Sequence, residues 1–180
     1  MSRLPVIDPD KLSARQRQMY DETIRVRGQV RGPFAIWLNS PDLCDLTLQT
    51  QDWFQKKSEL PSRLLELAIL VMARKASAQF AWAVHEKRGL ENGLTRDVVD
   101  AIRDRITPNF AQDDERLVYD LACELSETQT LSPKAYERGR AFFGIPVLVE
   151  LVSLVGFYVM VAMVLNTFEA DPPGGNYLLD

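Results

Sequence analysis

Apolar residues recur at helical spacing along almost the whole chain, and no stretch alternates apolar and polar positions as a half-buried strand would. Ser13 with Gln16 three residues on is a capping box, predicting a helix that runs to about Arg27. Gly28 and Gly32-Pro33 interrupt the chain after it, and the next run, FAIWL, reads as a short helical turn. Ser40-Pro41 marks a helix start and predicts a helix to about Lys57, while Pro61-Ser62 opens the next. Gly89 and Gly93 offer stops, and Thr95 caps a further short helix with Asp97 in its first turn. Asp113 or Asp114 starts a helix carrying Leu117, Val118, Leu121 and Leu125 on one face. Ser132-Pro133 repeats the cap-plus-proline signal, Gly144 closes that helix, and an apolar helix fills about Pro146 to Phe168. The closing DPPGGNYLLD cannot extend a helix, but its Tyr177, Leu178 and Leu179 can dock on a neighbouring surface. The sum is an all-α bundle of about eight helices, read as a single domain over residues 1–180.

Within the last helix, residues 151–165 carry no charge. Fifteen residues fall short of the ~20 that span hydrocarbon, so the expectation is a helix buried in the bundle or in a subunit contact, with no membrane partner. The composition, 46% apolar and 26% charged, is that of an ordinary folded protein. A net charge of -4 opposes general nucleic-acid binding, which needs a basic face, and the cluster Arg25, Arg27, Arg31 reads as a solvated face. Cys44 and Cys123 form neither a CxxC pair nor any metal-ligand spacing, so no metal site is expected. The N-terminus lacks the apolar core of a signal peptide, which points to the cytoplasm.

Candidate chemistry concentrates in residues 66–85. His85 is the only histidine, at the end of a stretch rich in Leu, Ala and aromatic residues, and Glu66 lies in an otherwise apolar run. In one straight helix these two would stand ~28 Å and ~100° apart. A break at residues 74–77, with Ser77 capping a second helix, would fold the segment into an αα-hairpin and bring them together. The competing reading pairs Glu66 with Arg63, Arg74 or a backbone group. Trp82 and Phe80 can line a pocket or belong to the core. Gln79 can bond a substrate or cap a helix, and Tyr158 can face the pocket or satisfy buried backbone. Arg74 can hold a substrate carboxylate or point to solvent.

The runs GPF at 32–34, LPSRLLELAIL at 60–70, AQFAWAVH at 78–85 and GFYVMVAMVLN at 156–166 resemble the carboxymuconolactone decarboxylase / AhpD-like family, in its cysteine-less members. The resemblance implies an AhpD-like helical bundle, with an N-terminal helical extension over 1–58, a core motif over 59–170 and a tail over 171–180. It also implies a homo-oligomer, trimer or hexamer. Glu66 and His85 match the Glu and His of the family's peroxidase branch, whose two cysteine positions fall on Ala78 and Ala81. Without a thiolate to attack peroxide and a second thiol to resolve it, thiol peroxidase activity is disfavoured. The decarboxylase branch needs neither thiol nor metal. It implies a cofactor-independent, decarboxylase-like enzyme in which His85 transfers a proton on a small carboxylated lactone or related carbonyl compound. Glu66 would tune or orient the imidazole, while Trp82, Phe80, Gln79, Arg74 and Tyr158 would bind substrate. Relatives often carry an acid before the Trp, where this chain has Ala81. That departure leaves open a non-catalytic, ligand-binding or structural oligomer of the same fold.

Overall fold

The computed structural model describes residues 2–180 and contains, among them, eight α-helices and two 3-10 turns, with no strand. The helices are α1 (Ala14–Arg27), α2 (Pro33–Trp37), α3 (Pro41–Lys56), α4 (Ser62–Lys75), α5 (Gln79–Glu91), α6 (Arg96–Arg103), α7 (Asp113–Thr128) and α8 (Pro133–Thr167). The all-α expectation holds. The caps act where the sequence places them: Ser13 and Gln16 close a reciprocal capping box, and Thr95 and Ser132 each accept from a backbone N–H three residues on. Ser40 precedes α3 as expected but makes no side-chain cap bond.

α4 is the axis of the bundle. Every residue from Leu64 to Arg74 is buried, because α5, α6, α7 and α8 all pack around it. An apolar stripe would suffice for a surface helix, whereas a helix enclosed on all sides is apolar all round. Any polar residue within α4 must therefore find a partner inside the protein. Within the fully buried run 64–74 there are two, Glu66 and Arg74, and both do.

One local expectation needs correction. Ser77 does not cap α5; it takes a left-handed conformation (φ 46°), and Ala78 precedes the helix without a side-chain cap. The turn is too tight for a cap, since the Ala78 N–H donates back to the Ala73 carbonyl at 2.8 Å. Gly144 ends a helical segment where the sequence places a helix end, so that α8 consists of two segments meeting at a kink. It adopts φ 74° and ψ 169° inside α8 two residues before Pro146, whose ring and missing N–H prevent a straight continuation. The segment after the kink is apolar enough that α8 passes as membrane-crossing by length and composition alone, as the core helix of a bundle also does. Its inner face packs on α4 and α7 and carries Tyr158 into the interior. On its outer face Ile145, Val149, Val152 and Met163 stand exposed in a row. The tail docks: Leu179 is buried, and the Leu178 and Leu179 N–H groups donate to Gln79 Oε1 at 2.9 and 3.0 Å.

Candidate functional site

The turn at 76–78 folds α5 back along α4 and sets His85 beside Glu66. The His85 Nδ1 lies 2.6 Å from Glu66 Oε2, with both side chains about 95% buried. A carboxylate in such surroundings would be costly alone; the short bond to the imidazole offsets its desolvation. Because the carboxylate accepts, Nδ1 carries the hydrogen, and Nε2 is left as the position that exchanges protons.

That nitrogen faces Tyr158 of α8, whose hydroxyl is 3.3 Å away, with the two rings edge to face at 5.2 Å. The Tyr158 oxygen also accepts from Gln51 Nε2 of α3 at 3.2 Å, so its own hydrogen is free to point at His85 Nε2. Burial pushes the Tyr158 pKa well above its ordinary value, and the neighbouring Glu66 adds to the shift. The phenol therefore stays protonated at neutral pH and acts as a donor. Four helices thus contribute one buried hydrogen-bonded row: Glu66, His85, Tyr158, Gln51.

Beside this row opens a cavity of about 70 Å³, walled by His85, Tyr158, Gln51, Phe80, Ala81 and Val84 and rimmed by arginines. It holds a few waters or one small molecule. Glu66 stands behind the imidazole and does not line it. The loop after α1 presses on the cavity wall: Gly32 has φ 57°, and a Cβ there would meet the Phe80 ring at 2.2 Å. Only glycine fits that position. Ala81 presents a methyl group to the cavity and Ala78 is fully buried, so neither position supplies a reactive group.

Glu66, His85, Tyr158 and Phe80 are thus brought together, and three other candidates are not. Trp82 is fully buried in the core, turned away from the cavity, with its Nε1 lacking a protein partner among the described residues. Gln79 binds the tail, donating to the Leu179 carbonyl at 2.5 Å as well as accepting from its N–H. Arg74 pairs with Asp180 and donates to the Arg103 carbonyl at 2.5 Å, far from any substrate role. These two were misplaced because a helix pattern cannot show that the chain's last residues return to cover α4 and α5. Arg63, the alternative partner for Glu66, bonds Asp114 and Glu115 of α7. Cys44 is buried, Cys123 lies beside Tyr119 and Lys75, and burial raises both thiols above their ordinary pKa; neither lines the His85 cavity. Among the described residues no His, Cys, Asp and Glu cluster could hold a metal ion.

Sequence reasoning missed Gln51, Arg27, Arg31 and Arg88. Arg88 had a readable signal, since it lies three residues after His85 and so on the same helix face. Gln51 and Arg27 reach the cavity only through tertiary packing.

No known sequence-family profile matches the chain, and no curated protein matches it. Two solved structures do. One is the alkylhydroperoxidase AhpD core of an uncharacterized peroxidase-related protein from Ralstonia eutropha JMP134, with a TM-score of 0.79 and 16% identity, over 99% of this chain and 95% of that one. The other is an uncharacterized peroxidase-related protein from Silicibacter sp. TM1040, with a TM-score of 0.74 and 17% identity, over 95% and 91% of the two chains. At this identity the likeness establishes an AhpD-like helical fold.

Proposed function

We infer that the protein is a cofactor-independent, decarboxylase-like enzyme that moves a proton on a small carbonyl compound, the carboxylated lactone implied by the sequence resemblance being one such compound. The observation that carries this reading is the buried row in which Glu66 holds the His85 Nδ1–H while Nε2 and the Tyr158 hydroxyl border one small cavity. In a decarboxylation, the bond between the carboxylate and the carbon next to the carbonyl breaks and carbon dioxide leaves. The electron pair moves onto the carbonyl oxygen, where the Tyr158 O–H stabilises the enolate. His85, which takes up a solvent proton at Nε2 as the Tyr158 hydroxyl turns to the carbonyl oxygen, then delivers that proton to the carbon, and the enolate returns to the carbonyl form. Run in reverse at a neutral carbonyl compound, the same groups exchange the hydrogen on that carbon. Glu66 is a positioning residue here: it fixes the tautomer and stabilises the imidazolium.

A thiol route is disfavoured by the alanines at 78 and 81 and by the distance of both cysteines from the cavity. The exposed apolar row on α8 supports a homo-oligomeric assembly, trimer or hexamer, through that face. The test uses the whole protein in D₂O with a panel of small lactones and keto acids, following carbon-bound hydrogen exchange and carbon dioxide release by NMR. His85→Asn is expected to remove activity by at least about a hundredfold, and Tyr158→Phe to reduce it by roughly ten- to a hundredfold. A parent protein silent across the panel, or a His85→Asn variant as fast as the parent, would leave a non-catalytic ligand-binding oligomer as the better reading.

A further inference from the structure

Three guanidinium groups converge on the His85 cavity without an acidic partner. Arg27 at the end of α1, Arg31 in the loop after it and Arg88 one turn beyond His85 all line this cavity. Among the described residues none of the three takes part in an ion pair, whereas Arg15, Arg63, Arg74 and Arg103 each meet a carboxylate. Asp52 and Glu66 act on Arg27 only at longer range, and Glu66 is already bonded to His85.

The surroundings make that charge consequential. Arg27 is half-buried, bonded to Gln55 Oε1 at 2.5 Å and laid over the Phe34 ring at 5.8 Å. Burial, and then the charge of Arg88, push its pKa below the ordinary value, so the two cations repel each other across the cavity. Arg31 covers the rim, its guanidinium over the Phe80 ring at 5.9 Å. Independently, Gln51, only 6% exposed and on the cavity wall, keeps its Oε1 buried with no protein partner among the described residues. An acceptor in that position suits a hydroxyl or N–H of a bound molecule.

Building on the proton-transfer reading, we propose that Arg27, Arg31 and Arg88 form an oxyanion-binding subsite. It holds a carboxylate or phosphate group of the substrate and thereby fixes the reacting carbon against His85 Nε2 and the Tyr158 hydroxyl. Guanidinium forks match planar carboxylates and tetrahedral phosphates alike, and they stay charged in a partly dry cavity.

Calorimetry and NMR of the His85 ring in the full chain, titrated with malonate, inorganic phosphate or neutral malonamide, test this. Malonate or phosphate should bind and shift the ring signals, malonamide should not, and Arg88→Gln and Arg27→Gln should each weaken binding at least about tenfold. Tighter malonate binding would assign a carboxylated substrate and tighter phosphate binding a phosphorylated one; either supports the subsite. The subsite is overturned if neither anion moves the His85 signals, if malonamide binds as well as malonate, or if the folded arginine variants bind like the parent. The malonate–malonamide contrast needs no variant to fold. His85→Asn should retain anion binding, which separates the two readings. Anion binding without His85-dependent exchange supports the subsite and removes only the chemistry; exchange without anion binding removes only the subsite.

Discussion

The α4–α5 hairpin carries two polar side chains toward each end, and the two ends differ in what covers them. Away from the turn, Glu66 and His85 bond to each other, and the outer nitrogen of the ring faces a cavity. Near the turn, Arg74 and Gln79 are just as polar, but the chain's own last residues occupy them: Asp180 takes the guanidinium and the 178–179 backbone takes the amide. Both ends place polar side chains between the same two helices. What separates a candidate reactive centre from a structural clamp is whether the remaining hydrogen-bonding capacity is consumed by protein or left open to a guest.

The largest expected effect lies at the cavity end. Glu66→Ala leaves a buried imidazole without its partner and should lower stability by about 3–5 kcal/mol, or roughly 6–20 °C in Tm, with proton exchange lost. Glu66→Gln keeps an acceptor and should lose less. A melting curve of Glu66→Ala that overlays the parent would mean that the pair is not what holds this end. Next, Arg74→Ala removes the buried bond to the Arg103 carbonyl and the tail contact, for an expected loss of about 1–3 kcal/mol, with exchange at His85 unchanged. A large fall in activity there would erase the distinction between the two ends. The smallest effect is acid release of the tail. Arg74 holds the Asp180 carboxyl below its ordinary value, so the contact is fully present above about pH 4 and is lost as pH falls through the lowered value. NMR signals of Leu178 and Leu179 should report the release while the His85 ring contacts persist.

Much of the fold was legible before any coordinates. Ser13, Thr95 and Ser132 mark helix starts through chemistry confined to four consecutive residues, so a linear reading finds them. The Glu66–His85 meeting was legible too, because it depends on one local turn. Ser77 was not: its left-handed backbone comes from the closeness of α4 and α5 rather than from its own preference. The arginines illustrate the same limit from the other side. Arg27 and Arg31 look like a solvated face in sequence, and only the packing of α1 against α3 turns them toward a shared space. Gln79 and Arg74 were assigned to the wrong guest, since the peptide that binds them lies a hundred residues away.

The tight turn at Ser77 also works as a ruler. With its length set by the Ala78-to-Ala73 bond, a carboxylate at one position on the outgoing helix can meet an imidazole on the returning one only at a fixed chain interval, here nineteen residues. One added residue in that loop would swing the ring by about 100° around its own helix and out of reach of its partner. The interval, more than the letters between, is what a search for distant chains of this architecture can look for.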